Sequence, residues 1–137
     1  MNLEQNTKEM NNTKTATLNV TLKNLFFKWL DITKSFHKLN NQQQQVLALL
    51  LYHHYQFRKE TTNNKILWKL VFDYDTKMKI KEELNMNDNS FQNILTKLRK
   101  KHIITDGEIL SIYIPELDLN TKNFKVIFNF NIVDNEK

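Results

Sequence analysis

Cysteine is absent from this 137-residue sequence, and glycine and proline occur once each. Without cysteine there is no disulfide framework and no cysteine-ligated zinc site. No apolar run approaches the ~20 residues that cross a bilayer as a helix. Met1 to Lys8 also lacks the basic-then-apolar layout of a secretion signal. These absences predict a protein made and kept in a cytoplasm, or in a particle assembled there. Catalytic signatures are missing too: there is no Gly-rich phosphate loop, no HExxH and no nucleophile elbow. His37, His53, His54 and His102 are scattered. His53 and His54 are adjacent, so they point to different faces of a helix and do not form the i, i+4 pair that a metal needs. The expectation is a protein that is not an enzyme and needs no cofactor or metal.

What is present is Asn, Lys and Ile in abundance, the imprint of an AT-rich coding sequence. That bias raises the lysine count for reasons unrelated to function. The net charge of +5 and pI near 9.3 therefore permit a nucleic-acid partner without demanding one. The length suits one domain with a real core.

Residues 1–16 are polar and lack apolar periodicity, so alone they are expected to be a flexible arm. One domain follows over 17–137. Leu18, Val20 and Leu22 alternate as in a short strand. Leu25, Phe26, Trp29, Leu30, Ile32 and Phe36 recur at helical spacing and predict a helix over about 22–37. A second helix is expected over about 42–59, with Val46, Leu47, Leu50, Leu51, His54 and Phe57 along its seam. Asn64 is placed to cap a third helix from about Lys65, carrying Ile66, Leu67, Leu70, Val71 and Phe72. Asp75 or Thr76 would cap a fourth. Phe26 and Phe27 are neighbours that cannot both face inward. With Trp29 and Tyr52 they raise the prospect of an exposed aromatic patch, and of a dimer seam along the N-terminal helices.

The stretch from Ile80 to Ile104 is the most informative. Ile80 and Leu84 share one helical face; Phe91, Ile94, Leu95 and Leu98 share another. Asn85 stands where the turn between them needs a left-handed backbone, for which Asn is the best substitute for Gly. Met86 is placed to plug the gap. A turn follows at Asp106-Gly107, and Ile109 to Ile114 is β-branched up to Pro115. Phe124, Val126, Phe128, Phe130 and Ile132 then alternate strictly, the pattern of a strand with one buried face. Helix, turn, helix and hairpin in this order resemble the winged helix-turn-helix. The resemblance covers about residues 76–133, with the helix-turn-helix at about 76–102 and the wing at about 105–133. It implies an α+β fold, mainly helical, with a C-terminal β-hairpin wing.

In winged-helix proteins the second motif helix most often enters the major groove of DNA. The resemblance thus implies that Asn89 to His102 faces double-stranded DNA. Asn89, Gln92 and Asn93 carry amides suited to adenine, and Ser90 and Thr96 carry hydroxyls suited to a base edge or a phosphate. Lys97, Lys100 and Lys101 would neutralise phosphates, and Arg99 would do either job. The competing reading is a solvated face whose terminal cations complement the helix dipole. Two features oppose DNA. Asp88 opens the helix, and the expected wing carries Asp106, Glu108, Glu116 and Asp118 against Lys122 and Lys125. His102 stands where Gly usually ends this helix.

The stretch from Leu67-Trp68-Lys69-Leu70 through Leu98 to Ile104 is also similar to small proteins of tailed phages with AT-rich genomes, including crAss-like phages. Two expectations follow. One is a DNA-binding transcription or replication regulator of phage or plasmid type. The other is a structural component of a phage particle, at the head-tail connector, that uses the fold to dock protein, with homo-oligomers or other phage proteins as partners.

Overall fold

The computed structural model describes residues 13–134. The expected N-terminal arm therefore lies largely outside the described residues; residues 13–16 are exposed and without regular structure. Among the described residues the chain forms six helices and one small antiparallel sheet, a mainly helical α+β architecture.

The first expected helix is two: α1 (Leu22–Ile32) and the single turn α2 (Lys34–His37). Thr33 divides them. Its hydroxyl donates to the Trp29 carbonyl at 2.7 Å and its N–H reaches the same oxygen at 3.1 Å, a local bond that bends or ends a helix. The strand expected around Leu18 to Leu22 does not form; Leu18 and Val20 are exposed.

Helix α3 (Asn41–Arg58) is the axis of the molecule. Asn40 and Gln43 start it with a reciprocal capping box at 2.9 and 3.0 Å. Six consecutive residues, Val46 to Leu51, are buried, more than the seam expected from sequence, because α1, α4, α5 and α6 all pack against it. Gln44 donates to Asp31 at 3.0 Å and ties α1 to this axis.

Helix α4 (Asn64–Val71) is capped by Asn63, not Asn64, and α5 (Tyr74–Glu83) by Asp73, not Asp75 or Thr76. In each case the residue one or more positions upstream has extended backbone, so its carboxamide or carboxylate oxygen reaches the N3 amide. Thr76 instead turns inward and donates to the Leu70 carbonyl at 2.7 Å. Helix α6 (Asp88–Lys100) is capped by Asn87 and buries Phe91, Ile94, Leu95 and Leu98.

Strands β1 (Ile104–Thr105) and β2 (Glu108–Ile109) pair in the register Ile104 with Ile109 and Thr105 with Glu108. Asp106 and Gly107 both have positive φ, 53° and 76°, as a two-residue type I′ hairpin requires.

This corrects the expected wing over 105–133. The hairpin is confined to Ile104–Ile109 and closes on the Asp106-Gly107 turn itself. The helix ends at Lys100 and the chain turns through Lys101 and His102, so beyond the Leu110 N–H bond to the Ile103 carbonyl at 2.9 Å the ladder does not continue. The chain then turns into a 3₁₀ segment, Ser111–Tyr113, with Ile112 75% exposed. Phe124 to Ile132 forms no strand either. Between these segments the chain is strapped to the helices: Trp29 donates to the Tyr113 carbonyl at 2.8 Å, Arg58 to Leu117 at 2.7 Å and Tyr55 to Leu119 at 2.9 Å. Of the aromatic residues suspected of forming a surface patch, Phe26 is buried, and Phe27, Trp29 and Tyr52 are half-buried against the core; Phe36, outside that set, is exposed.

Candidate nucleic-acid interface

The candidate face belongs to α6, and two tight connections hold that helix. Helix α5 ends in Leu84 and Asn85. Asn85 has φ 50°, and its N–H and that of Met86 bond back to the Glu82 and Lys81 carbonyls at 3.1 and 2.9 Å. This is the paired bonding of a Schellman stop. Met86 packs against the core as expected. The same stop ends α6: His102 has φ 60°, and the N–H groups of His102 and Ile103 reach Arg99 and Leu98 at 3.0 and 2.9 Å. In a chain with one glycine, Asn and His take the left-handed positions that glycine would otherwise fill.

With Phe91, Ile94, Leu95 and Leu98 buried, helical periodicity sets the rest of the surface. Asn89, Asn93, Thr96 and Lys100 follow at i, i+4, i+7 and i+11 and form the stripe opposite the core; all four are exposed. Gln92 and Arg99 flank it on one side, with Ser90 and Lys97 on the other. All of these are exposed except half-buried Ser90. No acidic side chain occurs between Asn89 and Lys101.

Lys101 stands apart from the other expected phosphate ligands. Its ammonium donates to the His37 and Lys38 carbonyls at 3.4 and 3.2 Å. There it stabilises the end of α2, where Lys38 holds a left-handed φ of 55°.

Asp88 is balanced across the turn. Lys81 approaches it at 2.9 Å and, by hydrogen bond and charge, holds its carboxyl below the usual carboxylate range, with smaller contributions from Gln92 and Lys77. Sequence reading gave Asp88 as a repulsive charge and missed Lys81. The signal was available: the two residues are seven apart across a four-residue connection. An open cleft of about 480 Å³ runs along this turn, lined by Met78, Lys81, Glu82 and Asn85 to Asp88.

The hairpin beside α6 carries Asp106 and Glu108, and Glu108 accepts from Asn64 at 3.4 Å. Glu116 and Asp118 belong to the strap and not to the hairpin.

The histidines are structural in their contacts. His37 Nε2 donates to the Leu30 carbonyl at 2.7 Å while Nδ1 accepts from the Leu39 N–H at 3.0 Å, which defines one neutral tautomer. His54 stacks on Trp68 with centroids 4.3 Å apart. Burial, with the Arg58 charge as a lesser cause, pushes its pKa down to about 4. Among the described residues no group of three or more His, Asp or Glu side chains is placed to hold a metal ion, and no helix is long and apolar enough to cross a membrane.

No protein-family model, curated protein or solved structure matches the chain.

Proposed function

We propose that this chain is a winged-helix DNA-binding protein, a transcription or replication regulator of phage or plasmid type, that reads duplex DNA with Asn89 to His102. One observation carries the reading. The exposed stripe Asn89, Asn93, Thr96 and Lys100, flanked by Gln92, Lys97 and Arg99, has no acidic residue and lies opposite a fully buried face. Amides toward the N-terminus and cations toward the C-terminus provide groove readout and phosphate contact on one helix. The Lys81 ion pair supports it further by offsetting Asp88. The order α5, turn, α6, hairpin agrees with a winged helix whose wing is very short. Such a wing, bearing Asp106 and Glu108, contributes little grip, so the contact rests on α6.

The test is fluorescence anisotropy with mixed-sequence duplex DNA, beside the variant Lys97→Glu/Arg99→Glu. The expected result is binding that weakens roughly 10³-fold or more between about 50 and 200 mM salt and is lost in the double variant. No binding at low salt would reject this function.

A second reading, a particle component that docks protein, is favoured by a different observation: Ile127, Phe130, Ile132 and Val133 are all exposed. Failure to bind DNA, with stable incorporation into a phage particle, would select it.

A further inference from the structure

The segment from Lys122 to Asp134 is the least satisfied part of the molecule. Among the described residues no backbone hydrogen bond reaches it. Its alternating apolar residues begin on the body: Phe124 meets Trp29 edge-on with centroids 6.0 Å apart, and Phe128 stacks on exposed Phe36 at 6.3 Å. They then overhang, with Phe130 86% and Ile132 96% exposed. A run of this composition, without proline or glycine, has strong strand propensity and lacks only a second strand.

The order of its residues says which strand. Laid antiparallel against an identical copy and centred on Phe128, the segment sets Val126 opposite Phe130 and Phe124 opposite Ile132. Lys122 then falls opposite Asp134. Every apolar residue of the alternating face meets an apolar residue, and an opposite-charge pair closes each end. A two-fold contact needs such self-complementarity, since the same patch serves both partners. A shift of two residues in one direction sets Lys122 against Ile132, and in the other sets Phe124 against Asp134.

We propose that the chain forms a two-fold dimer in which residues 122–134 of two copies pair as an antiparallel ribbon centred on Phe128. Each copy's Phe130 and Ile132 then lie beside the other's Val126 and Phe124, and two Lys122–Asp134 pairs set the register. This dimer is independent of the DNA reading, and it would present two copies of α6 about one axis.

The test is sedimentation equilibrium of the full chain. The wild-type chain is expected to be a concentration-dependent dimer. Phe130→Asp/Ile132→Asp is expected to be a monomer with unchanged helical circular dichroism. Lys122→Glu and Asp134→Lys should each weaken the dimer roughly tenfold or more, because two pairs turn repulsive at once. Mixed together, these two variants should form a heterodimer in which both pairs are attractive, and the double variant Lys122→Glu/Asp134→Lys should recover the homodimer. Since the chain has no cysteine, Phe128→Cys should cross-link to its own copy on oxidation. A wild-type chain that stays monomeric overturns the proposal, as does a dimer insensitive to Phe130→Asp/Ile132→Asp. Open-ended oligomers, or a monomer that uses these residues to bind phosphatidylcholine vesicles, would equally overturn it.

Discussion

Two stretches of this chain are comparably apolar and end in opposite surroundings. Val46 to Leu51, in the middle of α3, is buried along its whole length. Phe124 to Ile132 alternates more regularly than any other part of the sequence, yet its alternating face passes from half-buried Phe124 and Val126 to exposed Phe128, Phe130 and Ile132. The difference is supply. Four helices surround α3, whereas nothing among the described residues presents a strand to the C-terminal segment. A hydrophobic pattern states what a segment needs covered; the path of the rest of the chain decides whether cover exists.

The sharpest way to break this comparison is to truncate one residue on each side. Leu50→Ala should cost about 2–5 kcal/mol in urea unfolding, since the side chain is fully buried and its cavity cannot collapse freely. Phe130→Ala, measured at a protein concentration low enough to hold the chain monomeric, should stay within about 0.5 kcal/mol. Equal losses would mean that the segment is packed in solution.

The burial around α3 should also appear as a pH dependence. His54 has its pKa pushed down to about 4 in the fold, against about 6.5 when unfolded. The unfolded chain therefore takes up the proton first. Stability is complete above about pH 6.5, falls as pH drops, and levels off below pH 4, with a loss on the order of 3 kcal/mol. His37 and His53, also lowered by burial, act with the same sign. His54→Phe keeps a ring on Trp68 and should flatten the curve between pH 4 and 6.5. An unchanged curve would show that His54 is hydrated.

Smaller effects belong to the helix ends that hold α6. Asn87→Ala removes the cap to the Ser90 N–H at 2.8 Å and should cost about 1 kcal/mol in thermal unfolding. Lys38→Gly relieves a left-handed lysine and should stabilise by about 0.5 kcal/mol, the relief of strain being partly offset by glycine's greater chain entropy. A destabilised Lys38→Gly would show that the lysine side chain contributes packing that its exposure conceals.

Much of the helical body was legible in advance. The buried faces of α3 and α6, the left-handed turn at Asn85 and the glycine-like role of His102 follow from spacing and from the conformational preferences of single residues. Cap assignments slipped by one position at Asn63 and by two or three at Asp73. A cap depends on which residue has extended backbone, and two neighbouring Asn or nearby Asp residues read alike. The division of α1 from α2 was missed because Thr33 suits a helix surface and also bonds its own chain. For the candidate face, all nine expected residues lie on α6 or its last turn, but the use of Lys101 at the end of α2 and of Lys81 against Asp88 required elements distant in sequence to meet.

By itself the sequence determined the helices, their buried faces and the polar, cationic side of α6, because these depend on periodicity and local backbone chemistry within a few turns. Only the tertiary structure decided that the hairpin is a two-residue ladder, and that the alternating C-terminal run stands open. A strand is completed by a partner, and whether one is within reach depends on where the whole chain has gone.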